Sequence, residues 1–375
     1  MTMSIATFDD WVSAFRAWQA DIGLDRRSVE PFSFETKYGT LAEEEISFGD
    51  FAGARRWESV RQIPDQRIRD ALLNYIVYQG DTEFASAEQQ RHLYDTAPSA
   101  YDLRCLTRVM AEEMRHGYQM CHLLVTHFGH AGRLEAEKLL QRRAYHKQRL
   151  LGSFNEDITT WLDFFTFAQF VDRDGKYQLR MLSHSAFAPL ARSMGPMLQE
   201  ESFHLGVGFD GLRRVLLAGK VPVALVQKFF NKWVPTAYDL FGTDNSGSAH
   251  WGYVWGLKGR YDEEQQTSPA DRAHLNETAR QLYCTEITEL TARLNQYVPA
   301  DQPPLRLPDQ TFHRRIGAYA GEPYSVDGTR LSPGAYAAHL VEVLPQPEDL
   351  ALLHRLTTAP DWLAPKKSRG PEPGM

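Results

Sequence analysis

Residues 111–120 read AEEMRHGYQM and residues 198–208 read LQEESFHLGVG. Each holds a Glu and a His three residues apart, Glu113 with His116 and Glu201 with His204. On a helix, side chains three apart share one face. A carboxylate and an imidazole presented together can act as an acid–base pair or as ligands of a transition metal. Their surroundings decide. Leu103, Leu106, Met110, Glu113, Gly117, Met120 and Leu124 recur at steps of three and four, the buried stripe of a helix. Leu190, Met194, Met197, Glu201, His204 and Gly208 do the same. A carboxylate buried alone costs several kcal/mol, so both stripes need a positive partner.

A two-metal site in a helical bundle takes two Glu-x-x-His pairs plus one carboxylate from each of two further helices. Glu83 lies 30 residues before Glu113, and Asp172 lies 29 residues before Glu201. Two antiparallel helices joined by a short loop put residues at that separation at one height, since both rise 1.5 Å per residue. Asp81, Glu88 and Asp174 lie close enough to be rival donors. The charges also close, since two divalent ions neutralise four carboxylates. Oxygen and nitrogen donors in this mixture suit iron or manganese. The expected metal ligands are Glu83, Glu113, His116, Asp172, Glu201 and His204, with the four carboxylates also expected to serve catalysis.

The elements that must hold these residues are helical. Periodicity predicts helices near 8–20, 65–95, 99–128, 132–149, 158–187, 190–217, 221–241 and 270–296, an all-α chain. Gly129–Gly132, Gly152–Ser153, Gly219 and Gly242 punctuate the series. FSFETKYGTLAEEEISFGDF reads as extended or irregular, and 297–345 is rich in Pro, Gly and Tyr. The 375 residues are long enough for a large core, and 43% are hydrophobic, as in soluble globular chains. A net charge of −7 argues against general nucleic-acid binding. The N-terminal MTMSIATFDDWVSAF lacks a signal-peptide pattern, and the sequence has no run approaching a membrane span. Cys105, Cys121 and Cys284 form neither a disulfide framework nor a CxxC site, which fits a reducing cytoplasm.

Three stretches carry a resemblance beyond periodicity: QGDTEFASAEQQRHLYDTAPSAYDLRCL, LLGSFNEDITTWLDFFTFAQFVDRDGKYQLRML and TAYDLFGTDNSGSAHWGYVWGLKGR. Together with RRIGAYAGEPYSVDGTRLSP they resemble the oxygenase component of benzoyl-CoA 2,3-epoxidase, the BoxB family, over roughly residues 50–340. More distantly the chain is similar to the catalytic subunit of phenylacetyl-CoA epoxidase. The resemblance implies a ferritin-like fold and a non-haem di-iron centre on the six residues above. It also implies O2-dependent epoxidation of an aromatic acyl-CoA, with electrons from NADPH through a separate flavin and iron–sulfur reductase. The expected division is a lead segment 1–60, a ferritin-like di-iron domain 61–296, an irregular extension 297–345, and a terminal helix with a flexible tail over 346–375. One departure is Pro196, five residues before Glu201, which should start or kink that helix.

Ligand motifs fix a type of chemistry more firmly than a substrate. N-oxygenation of an arylamine, epoxidation of a biosynthetic acyl thioester, and a non-catalytic iron-binding bundle are the alternatives. Trp161, Phe164, Phe165, Phe167 and Phe170 can line a substrate pocket or pack as ordinary core, and core is the expectation. Arg142, Arg143, His146, Lys147 and Arg149 can grip CoA phosphates or form a solvated helix face balanced by Glu135 and Glu137, and the latter is expected. Tyr118 is expected to point away from the site, and Arg115 to form a salt bridge.

Overall fold

A computed structural model describes residues 5–24, 32–263, 275–359 and 361–366. The site rests on two long helix hairpins. The first joins α2 (Gln66–Gln90) to α3 (Ala100–His127); α1 (Phe8–Asp21) precedes it and α4 (Gly129–Gln141) follows. The second joins α5 (Trp161–Leu182) to α6 (Ala188–Ala218). Then come α7 (Val223–Leu240), α8 (Gly247–Val254), α9 (Leu275–Asn295), α10 (Pro333–Val343) and α11 (Pro347–Thr357). Among the described residues, extended pairing amounts to isolated bridges such as Glu45–Arg55 and Trp57–Phe187. None of the helices there is long and apolar enough to cross a membrane.

Sequence chemistry explains where the hairpin helices begin. Asp65 caps α2 by accepting from the Arg67 N–H, and Ser99 caps α3 by accepting from Asp102. Thr160 and Asp163 form a reciprocal capping box on α5. Pro189 occupies the first turn of α6, and Gly219, at φ 61°, closes it. Within each hairpin, glycine permits close approach. A Cβ on Gly117 of α3 would meet Phe84 of α2 at 2.6 Å, and one on Gly208 of α6 would meet the Gln169 backbone nitrogen of α5 at 2.5 Å. These contacts lie beside Glu83 and near Asp172, so the same close packing brings the ligand residues together.

Pro196 neither starts nor ends its helix; α6 runs through it. The proline leaves the Arg192 carbonyl without its helical donor, and the Gly39 N–H of the lead segment takes that place at 2.8 Å. The predicted helix over 132–149 stops at Gln141. Its basic residues lie in the loop and short turn that follow and so make no helix face: Arg149 is buried, Arg142 and Arg143 are half-buried, and His146 and Lys147 are exposed. Arg149 is fully buried, 3.1 Å from Asp81 and 2.9 Å from Glu88. The Leu150 N–H donates to Asp81, and the Ala144 N–H donates to Glu88. Two buried carboxylates of α2 thus draw the chain off its helical course, and neither belongs to the ligand cluster. The extension over 297–345 contains α10, which buries no residue fully, and the C-terminal helix is α11. The expected flexible tail falls largely outside the described residues.

Substituting Gly208 by Ala should lower stability by about 1–3 kcal/mol, because the clash is with backbone and a helix must move. Gly206→Ala on the exposed side of α6, where a Cβ meets nothing, should be neutral or stabilising by about 1 kcal/mol. Urea unfolding of both variants measures the difference; equal effects would contradict the packing role of Gly208.

Candidate metal centre

All six residues expected as ligands come together in the core, from four helices. One group comprises Glu83, Glu113, His116 and Glu201; the other comprises Glu113, Asp172 and His204. Within each group the candidate donor atoms lie within 4.8 Å of one another. His116 Nδ1 is 3.2 Å from Glu83 and 3.6 Å from Glu201. His204 Nδ1 is 3.4 Å from both Glu113 and Glu201. The two imidazole centroids are 6.1 Å apart. Glu113 and Glu201 therefore stand between the halves, while Glu83 and Asp172 flank them.

The distal nitrogens of the histidines are engaged reciprocally. His116 Nε2 pairs with Glu200 at 2.8 Å, and His204 Nε2 pairs with Glu112 at 3.0 Å. Each helix thus contributes one carboxylate to the cluster, and the residue before it orients the other helix's histidine. A proton on Nε2 leaves Nδ1 as a lone-pair donor toward the cluster. Arg115 forks onto Glu200, joined by Lys37 of the lead segment at 3.0 Å. Arg108 pairs with Glu112 at 2.8 Å and lies over the Phe203 ring. Sequence reasoning missed Glu112 and Glu200. The signal was available as the Glu-Glu doublet in both AEEMRH and QEESFH. Arg115, expected in a salt bridge, has one with Glu200.

The electrostatics suit cations. Burial raises Glu113 well above the ordinary carboxyl range, with Glu83 and Glu201 adding to it. Burial and the Glu201 charge push Asp172 up to about 7. Burial disfavours a charged His204, but Glu201, Glu112 and Glu113 outweigh it and hold its pKa well above normal. Burial likewise opposes charge on His116, and Glu83 and Glu200 overcome it. Burial would raise Glu200, yet His116 and Arg115 hold it well below the usual range. Asp172 Oδ2, Glu201 Oε2 and His204 Nδ1 are buried with no hydrogen-bond partner. Native interiors rarely leave such atoms unsatisfied. Four carboxylates and two imidazoles, with orphaned lone pairs aimed inward, fit two divalent ions of the iron or manganese type.

A cavity of about 680 Å³ reaches this cluster. Its lining includes Glu83, Glu113, Asp172 and Glu201 but neither histidine, so the carboxylates form its inner end. Tyr75, Phe154, Leu179, Leu182 and Phe241 wall it. Exposed Trp251, stacked on Trp255 at 4.8 Å, marks where it meets the surface. Trp161, Phe164, Phe165, Phe167 and Phe170 do not line it; they are core, as expected, packed against Trp233, Phe230 and one another. Tyr118 packs among Phe8, Trp11 and Phe15.

Residues 57–315 match the family described as phenylacetic acid catabolic protein. The chain is 38% identical over 362 aligned positions to benzoyl-CoA oxygenase component B of Aromatoleum evansii, covering 84% of this chain and 75% of that protein. It is 22% identical over 251 positions to a 1,2-phenylacetyl-CoA epoxidase subunit of Escherichia coli (strain K12), covering 66% of this chain and 74% of that protein.

Glu200→Ala should weaken ferrous-ion binding by about 10- to 100-fold while the bundle still folds, read by metal titration with circular dichroism as control. Unchanged affinity would remove Glu200 from the support of His116. Because Asp172 is pushed up to about 7 and Glu113, His116 and His204 are shifted toward their protonated forms, metal binding should release protons. Apparent affinity should fall as pH is lowered from 8 to 6. An affinity flat across that range would contradict the charge balance described.

Proposed function

The chain belongs to the phenylacetic acid catabolic protein family, whose bundle is ferritin-like, and from that premise we propose that it is a non-haem di-iron monooxygenase acting on a benzoyl-CoA-like thioester. It places one atom of O2 across an aromatic double bond as an epoxide, and the second leaves as water after two electrons and two protons are supplied. NADPH is the electron source, through a separate flavin and iron–sulfur reductase. The relative's designation as component B supports such a partner. The reaction belongs in the cytoplasm and calls for neither nucleic acid nor membrane. The observation that carries this reading is a cavity whose inner end is formed by all four buried carboxylates. A bundle that only holds iron needs no such approach.

Glu83, Glu113 and His116 would hold one ion, and Asp172, Glu201 and His204 the other. Bound there, iron supplies the activation of O2. The remaining tasks fall to the chain's own residues. Glu200 and Glu112 keep the proton of each histidine on Nε2. Asp172, shorter than a Glu by one methylene, leaves more room on its side of the cluster. The apolar walls around Leu179, Leu182 and Phe241 exclude water and seat an aromatic ring against the carboxylate end. Trp251 and Trp255 stand where the CoA portion of the thioester would emerge.

Iron-loaded protein with a reductase and NADPH should convert benzoyl-CoA to a product heavier by one oxygen, with phenylacetyl-CoA and free aromatic acids as comparisons. NADPH oxidation should require the aryl-CoA. Glu113→Ala should lose both bound iron and turnover. Mineralisation of many irons per chain with no oxygenated product, or full turnover by Glu113→Ala with stoichiometric iron, would overturn the reading.

A further inference from the structure

The cavity lining contains one basic side chain among the described residues, Lys258. Its position is fixed by its neighbours. The Lys258 N–H donates to the Gly252 carbonyl at 3.0 Å, and the Gly259 N–H donates to the Met181 carbonyl of α5 at 3.0 Å. A Cβ on Gly259 would meet His184 at 2.7 Å, so the segment lies flush against its support. From there Lys258 Nζ donates to Gln178 Oε1 at 2.7 Å, and Gln178 Nε2 donates to Asp174 Oδ1 at 3.0 Å. No carboxylate among the described residues forms an ion pair with Nζ. An ammonium has three donors, and one is used here. Burial brings its pKa down to about 8 despite Asp174 and Asp244 nearby. Lys258 is half-buried and lines the cavity.

The place of this group along the cavity matters. Gln178 lies six residues beyond Asp172 on the same wall of α5, roughly 9 Å along the axis. Between them Gly175 lines the cavity, and a Cβ there would meet nothing within 4 Å, so no side chain at that position narrows the path toward Lys258. Gln79, Thr82 and Ser86 line the cavity beside Glu83, and Gln79 Nε2 already donates to Glu83, so Lys258 is the one cationic donor among the described lining residues. A thioester with its ring at the carboxylate end carries its carbonyl oxygen outward along this path. That oxygen needs a donor in a largely apolar channel.

Resting on the acyl-thioester reading above, we propose that Lys258, held by Gln178, is the substrate-anchoring residue that donates to the thioester carbonyl oxygen and so sets how deeply the ring enters. Gln178 fixes the ammonium, and Asp174 fixes the orientation of the Gln178 amide. Lys258 is then a specificity element. It favours aryl thioesters over aryl thioethers of the same length, which lack the carbonyl oxygen.

The test compares benzoyl-CoA with benzyl-CoA, its thioether analogue, by equilibrium titration of tryptophan fluorescence on iron-loaded protein. The wild type should bind benzoyl-CoA about tenfold or more tightly than benzyl-CoA, the size expected of a hydrogen bond to a charged group. Lys258→Met should reduce benzoyl-CoA to the affinity of benzyl-CoA with iron content unchanged. Lys258→Gln should restore part of the preference. A wild type that binds both equally, or a Lys258→Met that keeps the full preference, would overturn the anchor and leave the acyl-CoA reading intact. A wild type that binds neither compound would overturn the acyl-CoA reading and the anchor with it.

Discussion

The structure depends on one constraint, the burial of four carboxylates within a few ångströms of one another. Glu83, Glu113, Asp172 and Glu201 are all nearly sealed from bulk water. Like charges so placed repel strongly where the surrounding dielectric is low, and hydrophobic packing does nothing to relieve it. Burial first, and this repulsion after it, make Glu113 and Asp172 resist ionisation, and protonation relieves part of the strain. The histidines relieve more, since the carboxylates around them shift both toward the charged form. Divalent ions would relieve it most fully, and the fold holds these groups ready for them. The long hairpins, the glycines at their contacts and the caps at their starts all keep this repelling set from spreading.

Around the inner set stand the two imidazoles, and beyond them a second set of charges. Glu112 and Glu200 carry the imidazoles, and Arg108, Arg115 and Lys37 in turn neutralise those carboxylates. Charge alternates outward from the cluster to the surface. The halves are not equivalent. Arg115 is buried and forks onto Glu200, whereas Arg108 is half-exposed and leans on Phe203. The environment of His116 is the stiffer of the two.

Much of this was legible in the residues themselves. The steps of three and four through Met110, Glu113 and Gly117 mark a buried face because helical geometry is local. The 29- and 30-residue offsets mark hairpins because both arms rise alike. The legible part ends where long-range contacts decide. Arg142–Arg149 reads as helix by local propensity, yet Asp81 and Glu88, more than fifty residues earlier, capture that segment's backbone and guanidinium groups. The aromatic residues of α5 do not show which side faces a cavity, because α6 and α7 cover them and only the folded arrangement reveals it. Lys258 carries no motif; it gains meaning only from its neighbours across the chain.

The lead segment has a mechanical consequence. Over three residues it grips both hairpins: Lys37 N–H on Gln119 of α3, Lys37 Nζ on Glu200 of α6, and Gly39 N–H on the carbonyl freed by Pro196. Gln119 in turn reaches Ser193 of α6. This crossing tie resists shear between α3 and α6, the two helices that carry the Glu-x-x-His pairs. Sliding one past the other requires several of these bonds to break together, so the span between His116 and His204 is held from outside the bundle as well as from within.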